Sequence, residues 1–200
     1  MSAYTVPTET PEADGTFAWT ETTLVLVQLS SSGVMGVGYS FADIATAKLI
    51  DAHLKPAVIG RSALNIAEIW TGMVRSIRNL GCPGICSMAI AAVDNALWDL
   101  KARLLNLCVA DLLGRVHHSI PAYGSGGFTS YSEIELRRQL GGWIEQGLNK
   151  VKMKIGANPS ADVVRVRTAR DAIGPDADRY VSGLENGLCI SFRIGMRHPL

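Results

Sequence analysis

The stretch NKVKMKIG (residues 149–156) places Lys152 and Lys154 two positions apart in a run that otherwise has the composition of a buried strand. Successive side chains of a strand point to opposite faces, so the two lysines are predicted to share one face and the apolar residues between them the other. Alternation alone also fits a half-exposed strand with a solvated polar face. The neighbouring sequence favours a strand covered on both faces, because the run lies between two helical patterns.

The segments around this strand alternate between strand and helix. The pattern predicts a strand over 119–128, a helix over 132–147, a strand over 148–156 and a helix over 160–174. This order is typical of a parallel α/β sheet or barrel, in which the chemistry takes place at the carboxyl ends of the strands. A lysine pair just before Gly156 would then project into an active site. A nearby positive charge and desolvation both favour a neutral amine, which can take up a proton.

The first part of the chain has a different pattern. We expect a short strand, a loop that reaches residue 20, a hairpin and then three helices, the third apolar on most of its circumference and therefore buried. The predicted strands are 3–7, 22–29 and 34–40, and the predicted helices are 42–54 (ended by Pro56), a segment between 62 and 81, and 86–107.

A shift in composition near residues 115–120 divides the chain. We expect an α+β domain over 1–115 and the first two to three β/α units of a barrel over 116–182. After the third strand the alternation breaks, and residues 183–200 are predicted to form an atypical tail without a clear helical stripe. A complete (β/α)8 barrel takes about 250 residues, so the sequence predicts the start of a barrel that is incomplete.

The composition restricts the classes of function. The chain has 200 residues, of which 48% are hydrophobic and 18% charged, and its net charge is +1. This profile is that of a globular protein and gives no reason to expect a nucleic-acid partner. The apolar runs are too short to span a bilayer, so no membrane partner is expected. The N-terminus has neither the basic nor the apolar region of a signal peptide, and a cytoplasmic location is expected.

The cysteines and histidines form no recognised metal or redox motif. CPGIC (82–86) has a three-residue spacer, which fits neither the redox spacing nor half of a zinc site. The cysteines are predicted to be small buried or partly buried thiols, and the histidines are scattered without an H-E-x-x-H arrangement. These residues are Cys82, Cys86, Cys108, Cys189, His53, His117, His118 and His198.

Two glycine-rich segments superficially resemble phosphate loops. GVMGVGYS (33–40) lies within the predicted hairpin and does not open a helix, which argues against dinucleotide binding. YGSGGF (123–128) is interpreted as the end of a barrel strand, where the backbone approaches a neighbour closely or a substrate must fit. Asp94 and Asp99 lie five positions apart on the third helix, so a surface or capping role is favoured over paired-carboxylate chemistry.

Three segments together resemble a known family. AIAAVDNALWDLKARLLNLCVADLLG (89–114) is similar to a helix signature of the mandelate racemase and muconate-lactonizing branch of the enolase superfamily, although Cys108 stands where that family usually has Pro, Ser or Ala. VKMKIG (151–156) matches the family's K-x-K motif at the end of the second barrel strand. TETPEADGTFAWTETTLVLVQL (8–29) resembles its mobile capping-domain loop and the strand that follows. The resemblance covers most of residues 1–180.

The resemblance implies a fold and a mechanism. The fold is an α+β capping domain followed by the start of a (β/α) barrel. The implied activity is Mg²⁺-dependent removal of the α-proton of a small carboxylate or sugar acid, by a racemase, an acid-sugar dehydratase or a cycloisomerase. Lys154 matches the general base, and Lys152 matches the lysine that helps to neutralise the substrate carboxylate and tunes Lys154. The full-length family leads us to expect a homo-oligomer.

One departure from the family concerns the metal. The family places its first metal ligand in a D-x-N pattern at the end of the third strand, where this chain has Gly183 and Glu185. The other acidic ligands come from later strands, so Mg²⁺ ligands are expected to be absent from this chain. Two hypotheses follow: a fragment of an α-proton-abstracting enzyme without full activity, or a non-catalytic remnant or association module that needs a partner to complete the barrel. In either case we expect the isolated chain to self-associate and to be inactive.

Overall fold

The computed structural model describes residues 1–185 and 188–193. Within this range no helix is both long and apolar enough to cross a bilayer. The chain forms two compact units: Met1–Pro7 with Glu21–His118, and Thr8–Thr20 with the chain from Ser119 onward. The sequence-based division kept residues 1–115 together, whereas the structure groups Thr8–Thr20 with the second unit.

The first unit combines an antiparallel sheet with helices. The sheet has the order β1-β2-β3, and the predicted hairpin is confirmed by antiparallel pairing of β2 and β3 from Leu24 opposite Phe41 to Ser31 opposite Val34. Its elements, of which β1 and β2 continue into the second unit, are β1 (Ser2–Ala13), β2 (Ala18–Ser31), β3 (Val34–Phe41), α1 (Ala45–Leu49), α2 (Lys55–Val58), α3 (Ile66–Ser76), α4 (Ile85–Leu104) and α5 (Val109–Leu112).

Helix α4 covers one face of this sheet at very short range. A Cβ atom at Gly38 would lie 2.2 Å from the carbonyl oxygen of Ala92 and 2.4 Å from the backbone nitrogen of Ala96, and one at Gly36 would lie 2.4 Å from the backbone nitrogen of Leu100. Alanine on the helix and glycine on the strand therefore let two backbones meet. Val27, which pairs with Gly38, points to the same face and is 3% exposed.

The helix predicted over 42–54 does not end at Pro56. A π-helical turn, Ile50–Leu54, separates α1 from α2, and the Lys55 N–H donates to the Ile50 carbonyl five residues earlier. Proline lacks an N–H and clashes with the carbonyl four residues before it in a regular α-helix. The wider turn places Pro56 at the first turn of α2, where no donor is needed, so the helical segment continues to Val58.

The second unit contains the β/α units. Its sheet has the order β4-β5-β6-β7, in which β4, β5 and β6 are parallel and β7 is antiparallel to β6. The side chains of α6, α7 and one face of β5 and β6 form its core. The elements are β4 (Gly124–Ser125), α6 (Glu133–Glu145), β5 (Lys150–Lys154), α7 (Pro159–Ile173), β6 (Asp178–Glu185) and β7 (Leu188–Arg193).

Local sequence explains where the two helices begin. Ser132 caps α6: its hydroxyl accepts from the Glu135 N–H, and the Glu135 carboxylate accepts from the Ser132 N–H at 2.8 Å. Asn158 caps α7 by accepting from the Ala161 N–H, and Pro159 occupies the first helical position. Both starts lie within one residue of the predicted ones.

Two strand predictions need correction. Residues 8–20, expected to be a loop, instead extend β1 and β2 to a tight turn. Asp14 closes this turn by accepting from the Thr16 and Phe17 N–H groups, and the Trp19 indole donates to the Glu12 carboxylate at 2.8 Å. The strand predicted over 119–128 is reduced to β4, since the glycines after it leave the regular ladder. The sequence also placed the second helix over too many residues; α3 is eleven residues long.

Candidate active site

Lys152 and Lys154 lie on the face of β5 that is turned away from the helices. Val151 and Met153 alternate with them, are 0% exposed and pack among the side chains of α6 and α7. Both lysines are partly exposed. The structure therefore places the pair together, on the helix-free face of a parallel sheet, as the alternation predicts.

The neighbouring strands give this face its polar character. The parallel register pairs Lys152 with Tyr180 and Lys154 with Ser182, and paired residues share a face. The Lys152 Nζ atom lies 5.6 Å from the ring centroid of Tyr123, which in turn lies 5.9 Å from the ring centroid of Tyr180. Lys152 is thus held against an aromatic face. Lys154 lies nearer the carboxyl end of the strand, beside Ser182.

The glycine-rich loop after β4 continues the sheet beside the lysine pair. The Gly126 N–H donates to the Lys152 carbonyl at 3.1 Å, and the Lys154 N–H donates to the Gly127 carbonyl at 3.0 Å. A Cβ at Gly127, whose φ is +58°, would lie 2.6 Å from the Met153 Cβ. The close backbone approach inferred from YGSGGF is what the structure shows.

The turn between β1 and β2 approaches the end of β5. A Cβ at Gly15 would lie 2.9 Å from the Ile155 carbonyl oxygen. The Thr129 N–H donates to the Ala13 carbonyl at 2.8 Å, and the Thr129 hydroxyl donates to the Asp14 carbonyl at 2.6 Å. The turn is therefore anchored to the loop after β4, within the same compact unit as the lysines.

Asp14 is the carboxylate of that turn. Its Oδ1 atom accepts from the N–H groups of Thr16 and Phe17 at 2.8 and 2.9 Å. Hydrogen bonding from the Thr16 N–H lowers the pKa of Asp14, burial opposes this only in part, and the charge of Lys154 adds a small further lowering. The turn thus holds an ionised carboxylate within electrostatic range of Lys154.

The described residues do not fit a magnesium site. Mg²⁺ requires several oxygen ligands in near-octahedral geometry. Among residues 1–185 and 188–193, no group of three or more His, Cys, Asp or Glu side chains could hold a metal ion. Gly183 offers no side chain, and a Cβ there would point at Ile155, 3.5 Å from its Cγ1, rather than toward the lysine face.

The other candidate residues, Asp94 and Asp99, belong to the first unit. In the first unit, the Asp99 carboxylate accepts from the Val37 N–H at 2.8 Å and from Arg103 at 2.9 Å, so it caps a backbone donor of the edge strand. Asp94 borders a surface pocket between α3 and α4 in the same unit, and burial raises its pKa, with a hydrogen bond to Trp98 opposing the shift. Neither carboxylate forms a catalytic pair.

The cysteines differ in exposure. Cys86 is buried, as expected, whereas Cys82 and Cys108 are exposed, and all three are free thiols. The expectation of buried or partly buried thiols was wrong for the exposed two, because they lie in the segments just before α4 and just before α5 and not within the helix core. The Cys189 side chain and His198 lie outside the described part of the structure.

Sequence reasoning missed the buried arginine of α7. Arg165 is 8% exposed and donates to the Tyr131 and Phe128 carbonyls at 2.7 Å each and to the Gly127 carbonyl at 3.3 Å. Within α7, arginines recur and look like those of a solvated face. The only sequence signal is that Arg165 shares the helical spacing of the buried Thr168 and Ala169.

The geometry defines a class of protein. A sheet-and-helix domain precedes parallel β/α units, and two lysines occupy the second of their strands. Residues 3–114 match the family model described as "Mandelate racemase / muconate lactonizing enzyme, N-terminal domain". The chain belongs to the mandelate racemase and muconate lactonizing enzyme family of the enolase superfamily, whose curated members related to this chain are isomerases and lyases.

Named relatives support this assignment. The chain is 31% identical over 163 residues to L-talarate/galactarate dehydratase of Salmonella typhimurium, covering 78% of this chain and 41% of the relative. Other curated relatives are cycloisomerases. The chain spans about half the length of the curated relatives it matches.

Solved structures show the same fold. A mandelate racemase/muconate lactonizing enzyme-like protein from Rubrobacter xylanophilus superposes with a TM-score of 0.88 at 49% identity, over 90% of this chain and 50% of that one. A racemase from Streptomyces coelicolor with bound magnesium gives 0.84 at 30% identity, over 90% and 52%. The fold expected from sequence, a capping domain followed by the start of a barrel, is confirmed.

Proposed function

We propose that Lys154 removes the α-proton of a small carboxylic or sugar acid, and that Lys152 helps to neutralise the substrate carboxylate. The observation that carries the proposal is the placement of both amines on the helix-free face of β5, with Lys154 nearer the carboxyl end. The related dehydratase and cycloisomerases act on sugar acids or muconates by name, which supports this substrate class. Racemisation, dehydration and cycloisomerisation are all reactions that the proposal allows.

The surroundings of the two lysines support separate roles for them. Lys152 lies against the Tyr123 ring, and this contact helps to hold its ammonium group, which as a cation can pair with a substrate carboxylate. Lys154 lies beside Ser182 and the loop after β4, closer to where a substrate α-carbon would be. Magnesium bound in relatives such as the Streptomyces racemase would supply stabilisation of the enediolate, but the described residues of this chain contribute no such site.

A second candidate is a non-catalytic remnant or association module. One observation favours it: among the described residues, no group of three or more His, Cys, Asp or Glu side chains could hold a metal ion. The two candidates differ in whether Lys154 does chemistry once the missing ligands are supplied.

A homo-oligomer and a cytoplasmic location also stay predictions. Light scattering coupled to size-exclusion chromatography tests the first, and cell fractionation tests the second.

The test supplies the remaining half of a relative. The chain is mixed with the carboxy-terminal half of the Rubrobacter protein, and exchange of substrate α-protons with D₂O is followed by NMR over a panel of hydroxy and sugar acids, with and without Mg²⁺. We expect no exchange from the chain alone and Mg²⁺-dependent exchange from the mixture. Lys154→Met should reduce it by at least about 100-fold, the usual contribution of a general base.

Lys150→Met is the matched control, because Lys150 lies on the same strand and has the same parity as the lysine pair but sits at the amino end. It should leave exchange unchanged. Equal exchange by the mixtures containing the native chain and Lys154→Met would contradict the proposed base. A mixture that forms a stable complex yet exchanges no α-proton would favour the association module.

A further inference from the structure

The carboxyl end of β5 is held on one side by a loop rather than by a strand. β4 pairs only with Val151 and Lys152. Beyond it, the Lys154 N–H has the Gly127 carbonyl as its partner at 3.0 Å, while on the other side the Ile155 N–H donates to the Ser182 carbonyl at 3.1 Å. The position of the Lys154 backbone therefore depends on where the Gly127 carbonyl lies.

A single guanidinium also donates to that carbonyl, at 3.3 Å. Arg165 reaches from α7 to the carbonyls of Gly127, Phe128 and Tyr131, which together define the path of the loop. The Gln139 side chain accepts from the Gly127 N–H at 2.8 Å. Because Arg165 is 8% exposed, its hydrogen bonds are shielded from competing water.

We infer that Arg165 is a positioning residue for Lys154: it orients the Gly127 carbonyl, and through it the end of the strand that carries the proposed base. The inference rests on the proposed function for its catalytic meaning. Its structural part, the dependence of the Lys154 backbone on Arg165, can be measured without any activity. A charge that only stabilised the fold would not act selectively on this one amide.

The same helix offers a matched control. Arg170 also donates to backbone carbonyls, those of Gly174 and Ala177 at 2.8 and 2.7 Å, and both arginines have a buried Nε atom without a hydrogen-bond partner among the described residues. Arg170 donates to the segment between α7 and β6, and among the described residues it has no hydrogen bond to the loop that holds Lys154. The two residues therefore share chemistry and helix but differ in target.

The experiment compares amide hydrogen exchange in the native chain, Arg165→Met and Arg170→Met by NMR. The readout is the exchange rate of the Lys154 amide divided by that of the Met153 amide, which cancels a general loss of stability. We expect this ratio to rise about tenfold in Arg165→Met, as for the loss of one structural hydrogen bond, and to stay unchanged in Arg170→Met. An unchanged ratio in Arg165→Met, or an equal rise in both variants, would overturn the inference.

Arg165→Lys keeps the test decisive if the methionine variant fails to fold. A lysine can donate to one or two carbonyls but lacks the planar fork of arginine, so the ratio should rise by a smaller factor while the chain stays folded. No rise in this variant would overturn the inference in the same way.

In the complemented exchange assay, Arg165→Lys should lower kcat more than it raises KM. If Lys154→Met leaves that assay unchanged, the proposed function fails while the amide result still decides the dependence on Arg165.

Discussion

The two compact units bury a sheet face by opposite means. In the first unit, Gly36 and Gly38 bring the backbone of β3 against α4, and backbone atoms form the contact. In the second unit, side chains such as Met153 and Leu140 fill the space between β5 and the helices. A backbone contact tolerates no added atom, whereas a side-chain contact suffers when atoms are removed. The same period-two pattern in sequence thus predicts different effects of mutation: the first unit is destabilised by a larger side chain on its strand, and the second by a smaller side chain in its core.

The units also differ on the sheet face that is turned away from the helices. In the second unit this face carries the lysines and two tyrosines. In the first unit it is exposed and largely apolar. Its exposed large side chains on β3 are Met35 (50% exposed), Val37 (38%), Tyr39 (55%) and Phe41 (61%).

The largest effect is expected for Gly38→Val. The new side chain would meet backbone atoms of α4 at 2.2 to 2.4 Å, so β3 and the helix would have to separate. We expect a loss of about 3 kcal/mol or more in the free energy of unfolding, measured by urea denaturation.

The control for this substitution is Gly72→Ala on α3, where the Cβ would make an ordinary 3.5 Å contact with Ala57. It should be neutral or slightly stabilising. A Gly38→Val chain as stable as the native one would show that the backbone contact does not limit the first unit.

The converse test in the second unit is Leu140→Ala. Leu140 lies on α6, is 0% exposed and belongs to the core beneath β5. Its truncation should cost about 3 kcal/mol, through lost burial and a residual cavity. Ile134 on the same helix is 80% exposed, and Ile134→Ala should change stability by less than about 0.5 kcal/mol. Similar losses in both variants would contradict a core built from side chains on one face.

A smaller, pH-dependent effect is expected at Asp99. Burial raises the pKa of Asp99, but the Val37 N–H and Arg103 outweigh it, so the folded-state pKa lies below the ordinary value of 3.8. A lowered folded-state pKa means that the ionised carboxylate stabilises the fold above the unfolded-state pKa and that this contribution is lost as the pH falls through the folded-state pKa.

Asp99→Asn should therefore cost about 1 kcal/mol at pH 7 and progressively less at acid pH. Unfolding curves from pH 7 down to pH 2 measure the difference. A native-minus-variant difference that stays constant over this range would show that the carboxylate's charge is not what caps β3.

The smallest effect is expected for Gly142→Ala. Gly142 lies within α6, and a Cβ there would have no atom within 4 Å among the described residues. Alanine should raise the free energy of unfolding by roughly 0.5–1 kcal/mol, through its higher helix propensity. Thermal denaturation measures this change. A loss of stability would mean that, in solution, other atoms pack against the helix surface at Gly142 and leave no room for a Cβ.

Sequence by itself determined the order of elements and the faces of the strands. The β-α-β-α order after residue 119 and the hairpin before it follow from periodicity, caps and turns, which are local properties of the chain. The shared face of Lys152 and Lys154 follows from the two-residue period of a strand, and the match to the family added an expected role for each lysine.

Only the tertiary structure decided how the lysine pair is held. The Gly127 carbonyl, the Arg165 guanidinium and the turn at Asp14 come from segments far apart in sequence, and no local pattern marks them as partners. The same holds for Gly38, whose need for glycine comes from α4. At Pro56 the departure from expectation is local: a π-helical turn lets the helical segment continue past the expected end. Periodicity records which face a residue occupies, whereas the identity of the neighbour on that face is fixed by packing between distant segments.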